Sequence, residues 1–435
     1  MHGQARTINP PSGRATTWLA SSRAALWLVF ALFIGLRALV LLIEVAPTSD
    51  ALWYYDRAVM LANGRGYLGD QGQPTAFWPV GWPATMSLVF RLTGPSVAAI
   101  GLFNLACAAL SGWLVLDLGR KLFGSELAAR LGLLLLAVYP NAIGYVPLLL
   151  TEVFYTTLLL AGCWLLVARQ SLAAVALAGL VFGVSMLVKA QSLVVIPLIF
   201  AIALLRQAGF WRRIPWAAGR MALLLAVAAL SVAPWTVRNH RELGHWIAVS
   251  TNGGFTLLTG NNDTASGDYN PDDPVVTALQ ARPDLDEVSR DAEAKRIAVE
   301  WIAENPGKFA ALMPKKAFRL WAPDGEAEWG YQGGAPGYAT SEGLYRALRY
   351  ANQAYYFALL AGFAAAFAWM TVRRWRARQR WVGWWLLPYG IAAYPTAIAL
   401  VFSGQSRFHY PVMPFVCIAC GWLIAELLTL RKRAT

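Results

Sequence analysis

Apolar blocks of about 18 to 22 residues recur along nearly the whole chain, and no other feature of the sequence narrows its architecture as sharply. At about 1.5 Å of rise per residue, such a block forms a helix about as long as the hydrocarbon core of a bilayer is thick. A large water-soluble core would instead show apolar stripes at helical or strand spacing. The composition agrees. Hydrophobic residues make up 57% and charged residues 14%, against roughly 25% charged in soluble proteins. Too few polar side chains remain to coat a soluble surface. The expectation is an all-α polytopic membrane protein with about ten transmembrane helices, within a range of nine to thirteen.

The expected spans are 24–43, 97–118, 126–146, 148–168, 171–188, 190–205, 219–236, 351–371, 382–402 and 409–430. The run from Ala24 to Ile43 is longer than the apolar region of a typical signal peptide and reads as an uncleaved first span. Ten spans place both tails on one side, and the charges say which. Arg120, Lys121, Arg169, Arg206, Arg212, Arg213, Arg220, the run Arg373 to Arg380 and Arg431-Lys432-Arg433 all fall on the side of the N-terminus. Excess Lys and Arg in short loops marks the cytoplasmic face, so this distribution accounts for the net charge of +13 without invoking nucleic acid. Two long hydrophilic segments, 44–96 and 237–350, lie opposite and hold 20 of the 24 acidic residues. The chain thus divides into a cytoplasmic tail (1–23), a membrane core with one external loop (24–236), an external segment (237–350) and a C-terminal membrane part with a basic tail (351–435). This layout suits a multi-pass protein of the inner, or plasma, membrane whose working face is periplasmic or exterior.

The first external segment reads as two helices lying along the membrane face. Asp50 to Asn63 has helical spacing and stops at Asn63-Gly64, and a second amphipathic run spans Ala84 to Leu92 after WPVGWP. Trp53, Tyr54, Tyr55, Trp78 and Trp82 suit the membrane–water interface. In the second segment a helix is expected at 286–304, broken at Asn305-Pro306 and resumed through Leu320. Cys107, Cys163, Cys417 and Cys420 all sit inside apolar segments. The CxxC of the last two therefore reads as packing between helices, with no disulfide framework and no zinc site.

A charge in or beside the bilayer costs a few kcal/mol and tends to be placed for a reason. Glu44, Asp50, Glu152, Lys189, Arg238 and Arg407 come from distant parts of the chain, yet the topology sets them at one external depth. Asp50, immediately before the aromatic helix of the first external segment, suits a general base towards a hydroxyl; as a helix N-cap it would be equally at home. Lys189, Arg238, Arg241 and Arg407 are placed to neutralise a lipid phosphate. Ordinary interfacial ion pairs would explain each of these charges singly. His2, His240, His245 and His409 are scattered and show no metal-site spacing. No phosphate-binding loop, dinucleotide fingerprint or nucleophile elbow is present.

At these residues the sequence resembles the C-type glycosyltransferase superfamily, in the branch of the lipid A aminoarabinose transferases and the dolichyl-phosphate-mannose protein mannosyltransferases. The stretches that carry the resemblance are TSDALWYYDRAVMLANGRGY, FWPVGWPATMSLVFRLTG, LLLTEVFYTTLLLAGCWLL, APWTVRNHRELGHWIAVSTNGGFTLLTGNN, ENPGKFAALMPKKAFRLW and SRFHYPVMPF, in the family's order. The resemblance implies a polyprenyl-phosphate-linked sugar donor, transfer on the external face to an envelope acceptor, and inversion with the first-loop aspartate, Asp50, as base. Asp56 and Glu152 are further carboxylates, which a structural role would explain as well. Where many relatives have a basic residue before the proline of the WPVGWP region, this chain has Trp78. Lys189, Arg238 and Arg407 are then the candidates for the donor phosphate, with Arg407 matching the family's final-loop pattern. Tyr54, Tyr55, Trp78, Asn261 and His409 are candidate contacts to sugar or acceptor. The superfamily includes members that need a divalent cation, so no cofactor is assigned, although a single loop aspartate argues against one. A membrane transporter or flippase of a lipid-linked or polar substrate is the alternative, disfavoured because the polar weight lies in two segments on one side and not at the midplane.

Overall fold

The computed structural model of the chain describes residues 14–434 apart from 170, 208 and 271. The N-terminal tail expected at 1–23 lies outside the described residues as far as residue 13. Every regular element among the described residues is helical, and the extended pairings there are two isolated bridges, one of them between Asp268 and Gly404.

The chain opens with α1 (Arg14–Ser21), α2 (Arg23–Val40), the interfacial pair α3 (Ser49–Ala62) and α4 (Gly81–Thr93), and then α5 (Val97–Phe123), α6 (Glu126–Ala137) and α7 (Pro140–Gly144). It continues through α8 (Glu152–Ala168), α9 (Leu172–Val188), α10 (Val195–Leu205) and α11 (Phe210–Leu243). The second external segment contributes α12 (Gly253–Thr259), α13 (Pro274–Gln280), α14 (Glu287–Glu304), α15 (Pro306–Trp321) and α16 (Ala327–Gly334). The chain ends with α17 (Glu342–Arg376), α18 (Leu387–Val401) and α19 (Met413–Ala434). Serine caps start four of the membrane helices: the hydroxyls of Ser22, Ser96, Ser125 and Ser171 each accept from the amide three residues on.

Each expected span meets a helix, but the lengths differ. Among the described residues six helical stretches are long and apolar enough to cross a membrane: 23–40, 97–123, 210–243, 339–376, 384–401 and 406–431. The helices at 152–168, 172–188 and 190–205 are apolar but shorter. The span expected at 126–146 breaks into α6 and α7. Proline cannot supply the amide that a continuing helix needs and disfavours the α conformation just before it. Tyr139, preceding Pro140, is accordingly extended.

Arg37 makes use of that break. It lies in the last turn of α2, 2% exposed, and its guanidinium donates to the carbonyls of Leu136 (2.9 Å) and Ala137 (3.2 Å) and to Phe33 of its own helix (3.0 Å). A cation at a helix C-terminus satisfies orphan carbonyls and complements the helix dipole. α6 is thus capped by a side chain from α2.

Both external helices after the first span are present. α14 and α15 fall on either side of Asn305 as expected, with the Asp286 side chain capping α14 by accepting from Ser289 N at 2.7 Å. The four cysteines are free and buried, in keeping with packing between helices.

Candidate active site

Asp50 enters α3 at the second residue, behind Ser49, which adopts a left-handed φ of 49°. Such a backbone is uncommon outside glycine and fixes the angle at which the helix leaves the preceding extended strand of chain. The Asp50 Oδ2 accepts from Arg407 Nη1 at 2.6 Å across 357 residues of sequence. Arg407 lies in a 3-10 segment, Ser406–Val412, just ahead of α19. Both side chains are partly open, at 22% and 32% exposure, and both line a cavity of about 500 Å³. Its wall also carries Tyr145, Asp268, Tyr269, Arg319, Glu326 and Trp329.

A second pair stands beside the first. Glu152, the first residue of α8, is 1% exposed and accepts from Lys189 Nζ at 2.9 Å. Lys189 caps α9 and reaches this place because α4 and α9 touch closely: a side-chain carbon added at Gly81 would collide with the Leu187 backbone. Phe408 ties the pairs together, with the Lys189 ammonium 4.9 Å and the Arg407 guanidinium 5.5 Å from its ring centre. Two cations and two carboxylates therefore meet at the head of the membrane helices, as their common depth suggested. In such a setting charges interact far more strongly than in water.

Tyr54 and Trp78 form the aromatic flank. Their rings lie 5.3 Å apart, and Trp53 packs edge-on against both. Burial pushes the Tyr54 phenol well above its ordinary range, with the Asp50 charge adding to the effect. Tyr55 points instead to Phe90 of α4. Asp56, six residues past Asp50, is turned about 240° around the helix from it, and makes no hydrogen bond or ion pair among the described residues. Arg238 is engaged elsewhere: its guanidinium donates to the carbonyls of Tyr67 and Thr75, both at 2.7 Å, and so clamps the first external loop.

Two candidate contacts prove to be internal fastenings. Asn261, fully buried, donates both amide hydrogens, to Leu257 O and Val401 O, and accepts from the buried Lys316 ammonium at 2.7 Å. His409 is 1% exposed and sandwiched between Trp321 and Tyr356. Its Nδ1 lies 2.7 Å from the Leu320 carbonyl and its Nε2 3.0 Å from Asp324 Oδ1. Both ring nitrogens face acceptors, the arrangement an imidazolium satisfies. Asp324 also accepts from Tyr139 OH, Asn141 Nδ2 and Asn352 Nδ2, so four donors converge on one buried carboxylate. This hub joins the broken α6–α7 corner, α17 and the Arg407 segment.

Asp324 and Glu326 did not emerge from the sequence, because a long external loop gives no clue to which of its sixteen acids turns inward. Arg37 did carry a signal, an arginine inside an apolar block.

The fold that positions these charges is that of the C-type glycosyltransferases. Residues 78–235 match the family described as dolichyl-phosphate-mannose-protein mannosyltransferase. Among solved structures, the oligosaccharyltransferase of Archaeoglobus fulgidus in complex with Zn and sulfate superposes with a TM-score of 0.56 at 16% identity, covering 94% of this chain and 49% of that one. The AglB oligosaccharyltransferase of the same organism, with an inhibitory peptide and a dolichol-phosphate, gives 0.55 at 13% identity, covering 95% and 52%. The chain thus spans about half the length of these oligosaccharyltransferases. ArnT from Cupriavidus metallidurans bound to undecaprenyl phosphate is a more distant match, with a TM-score of 0.43 at 13% identity, covering 93% of this chain and 79% of that one. No curated protein matches the sequence.

Among the described residues no three His, Cys, Asp or Glu side chains are grouped to hold a metal ion, and the Asp50 carboxylate is paired with the Arg407 guanidinium.

Proposed function

We propose that the chain transfers a sugar from a polyprenyl-phosphate donor to a hydroxyl of an envelope acceptor on the external face of the membrane, inverting the anomeric carbon. One observation carries this reading: Asp50 is held by Arg407 at 2.6 Å on the wall of a cavity large enough for a sugar. The family match over residues 78–235 supports it, as does the fold.

Without substrate, Asp50 occupies the anion site of Arg407. An arriving donor phosphate is the stronger bidentate partner for a guanidinium. It draws Arg407 to itself and leaves the Asp50 carboxylate free to take a proton. The acceptor hydroxyl loses its proton to Asp50 as its oxygen bonds to the anomeric carbon. The bond from that carbon to the phosphate oxygen breaks with its electron pair, and Arg407 and Lys189 neutralise the charge left on the phosphate. Glu152 holds Lys189 and so acts on the phosphate through it.

Asp50→Asn keeps the size of the side chain and removes the base. Turnover with undecaprenyl-phosphate-linked sugar should fall by about 10²- to 10⁴-fold, the usual worth of a positioned base. Near-normal turnover of the purified variant would rule Asp50 out.

A further inference from the structure

We propose that Glu326 is a second working carboxyl of this cavity, a neutral group that donates a hydrogen bond to an oxygen of the carbohydrate donor or of its acceptor. The proposal deepens the glycosyl-transfer reading and rests on it. Glu326 stands just before α16 in the second external segment, on the wall of the cavity that Asp50 lines.

Its partners are hydroxyls. Oε1 accepts from Ser406 Oγ, and Oε2 faces Tyr145 OH at 3.4 Å. Among the described residues no ion pair reaches it. The carboxylates around it are supplied quite differently: Asp50 has the Arg407 guanidinium, Glu152 has the Lys189 ammonium, and Asp324 has four donors. A partly buried carboxyl set among hydroxyls, with the neighbouring cation committed elsewhere, keeps its proton more readily than one with a cation of its own. Burial indeed raises Glu326 above the usual carboxylate range. The Ser406 hydroxyl, His409 and Arg407 act against that rise, and Asp324 adds to it. Asp50, Asp268 and Arg319 are the other charged groups on the cavity wall. Asp50, paired with a guanidinium, and Glu326, paired only with hydroxyls, divide into acceptor and donor of protons, the arrangement by which a single site supplies both at neutral pH. With Ser406 on Oε1, the long contact at Oε2 leaves that oxygen free for a ligand.

The test is a pH profile of the purified full-length protein. The reactants are undecaprenyl-phosphate-linked sugar and a detergent extract of the source cell envelope, each varied in turn. Wild-type kcat/KM should fall about tenfold per pH unit once Glu326 ionises. In Glu326→Gln the amide donates in place of the acid. The alkaline fall should then vanish, because an amide does not ionise. Glu326→Ala should raise KM about tenfold, the scale of one lost hydrogen bond. A rise in the donor KM assigns the bonded oxygen to the sugar, and a rise in the extract concentration for half-saturation assigns it to the acceptor. Should the alanine variant fail to fold, the glutamine variant carries the test alone, with its thermal midpoint as the check. An unchanged alkaline fall in Glu326→Gln overturns the proposal. So does a loss of kcat as deep as that of Asp50→Asn, which would make Glu326 a base. A wild-type protein that binds the donor but transfers nothing defeats the glycosyl-transfer reading itself, and this proposal with it.

Discussion

Arg407 does two things that a lysine could not do together. Its planar fork reaches Asp50 through Nη1 while Nε faces Gln405 Oε1 at 3.3 Å. Lysine would keep the charge but lose the fork and the fixed direction of its donors. Arg407→Lys should therefore still bind donor lipid but lose about tenfold in kcat/KM, most of it in donor KM, measured by transfer at varied donor concentration. A variant that matches wild type in both constants would remove Arg407 from the phosphate site. At this scale the sequence was partly legible. Asp50, Lys189, Glu152 and Arg407 could be set at one depth because each directly follows or precedes an apolar block. Which carboxylate meets which cation could not be read, since that depends on how helices 37 and 357 residues apart in sequence are packed. Glu326, Asp324 and the inward turn of His409 were hidden for the same reason. In contrast, Asn261 and Arg238 stand out in the sequence as polar groups near the face, but both are tied to backbone carbonyls, and Asn261 also to Lys316.

The elements came through the sequence with less loss. Aromatic and apolar spacing predicted α3 and α4, and Asn305-Pro306 marked the join of α14 and α15. The break at Pro140 was missed because an apolar run continues across it, and hydropathy does not register a missing amide. One small connection matters more than its length suggests. Gly404 lies just ahead of the Arg407 segment, donates its amide to Gly267 O at 2.9 Å and is pressed against the Lys316 carbonyl, where an added side-chain carbon would overlap that oxygen. The final loop and the second external segment are fastened here by close backbone approach, reinforced by Lys316 bonding to Asn261 and to Val401 O. Gly404→Ala should push the Arg407 segment aside, lowering turnover by about ten- to a hundredfold while the membrane helices stay folded. Thermal melting and transfer assays on the same sample would separate the two effects. A variant with full activity would show that the fastening does not position Arg407.

For the whole molecule, the charge asymmetry predicts the acid-rich segments outside and the basic turns inside. The four native cysteines are buried, so an introduced cysteine can be read against a quiet background. Asp284→Cys, in the second external segment, should react with an impermeant thiol reagent on intact spheroplasts. Arg378→Cys, in the turn after α17, should react only after the membrane is opened. The reverse pattern would invert the topology and move the cavity to the cytoplasm. The cap that Arg37 places on α6 also bears on how the protein is made. As the ribosome delivers the chain, α2 enters the bilayer about a hundred residues ahead of the carbonyls of Leu136 and Ala137. Until they arrive, the Arg37 guanidinium has the Phe33 carbonyl and the face of the Phe33 ring, 3.7 Å away, both on its own helix. The arrival of α6 is therefore the event that gives the cation of the first helix its partners from outside it.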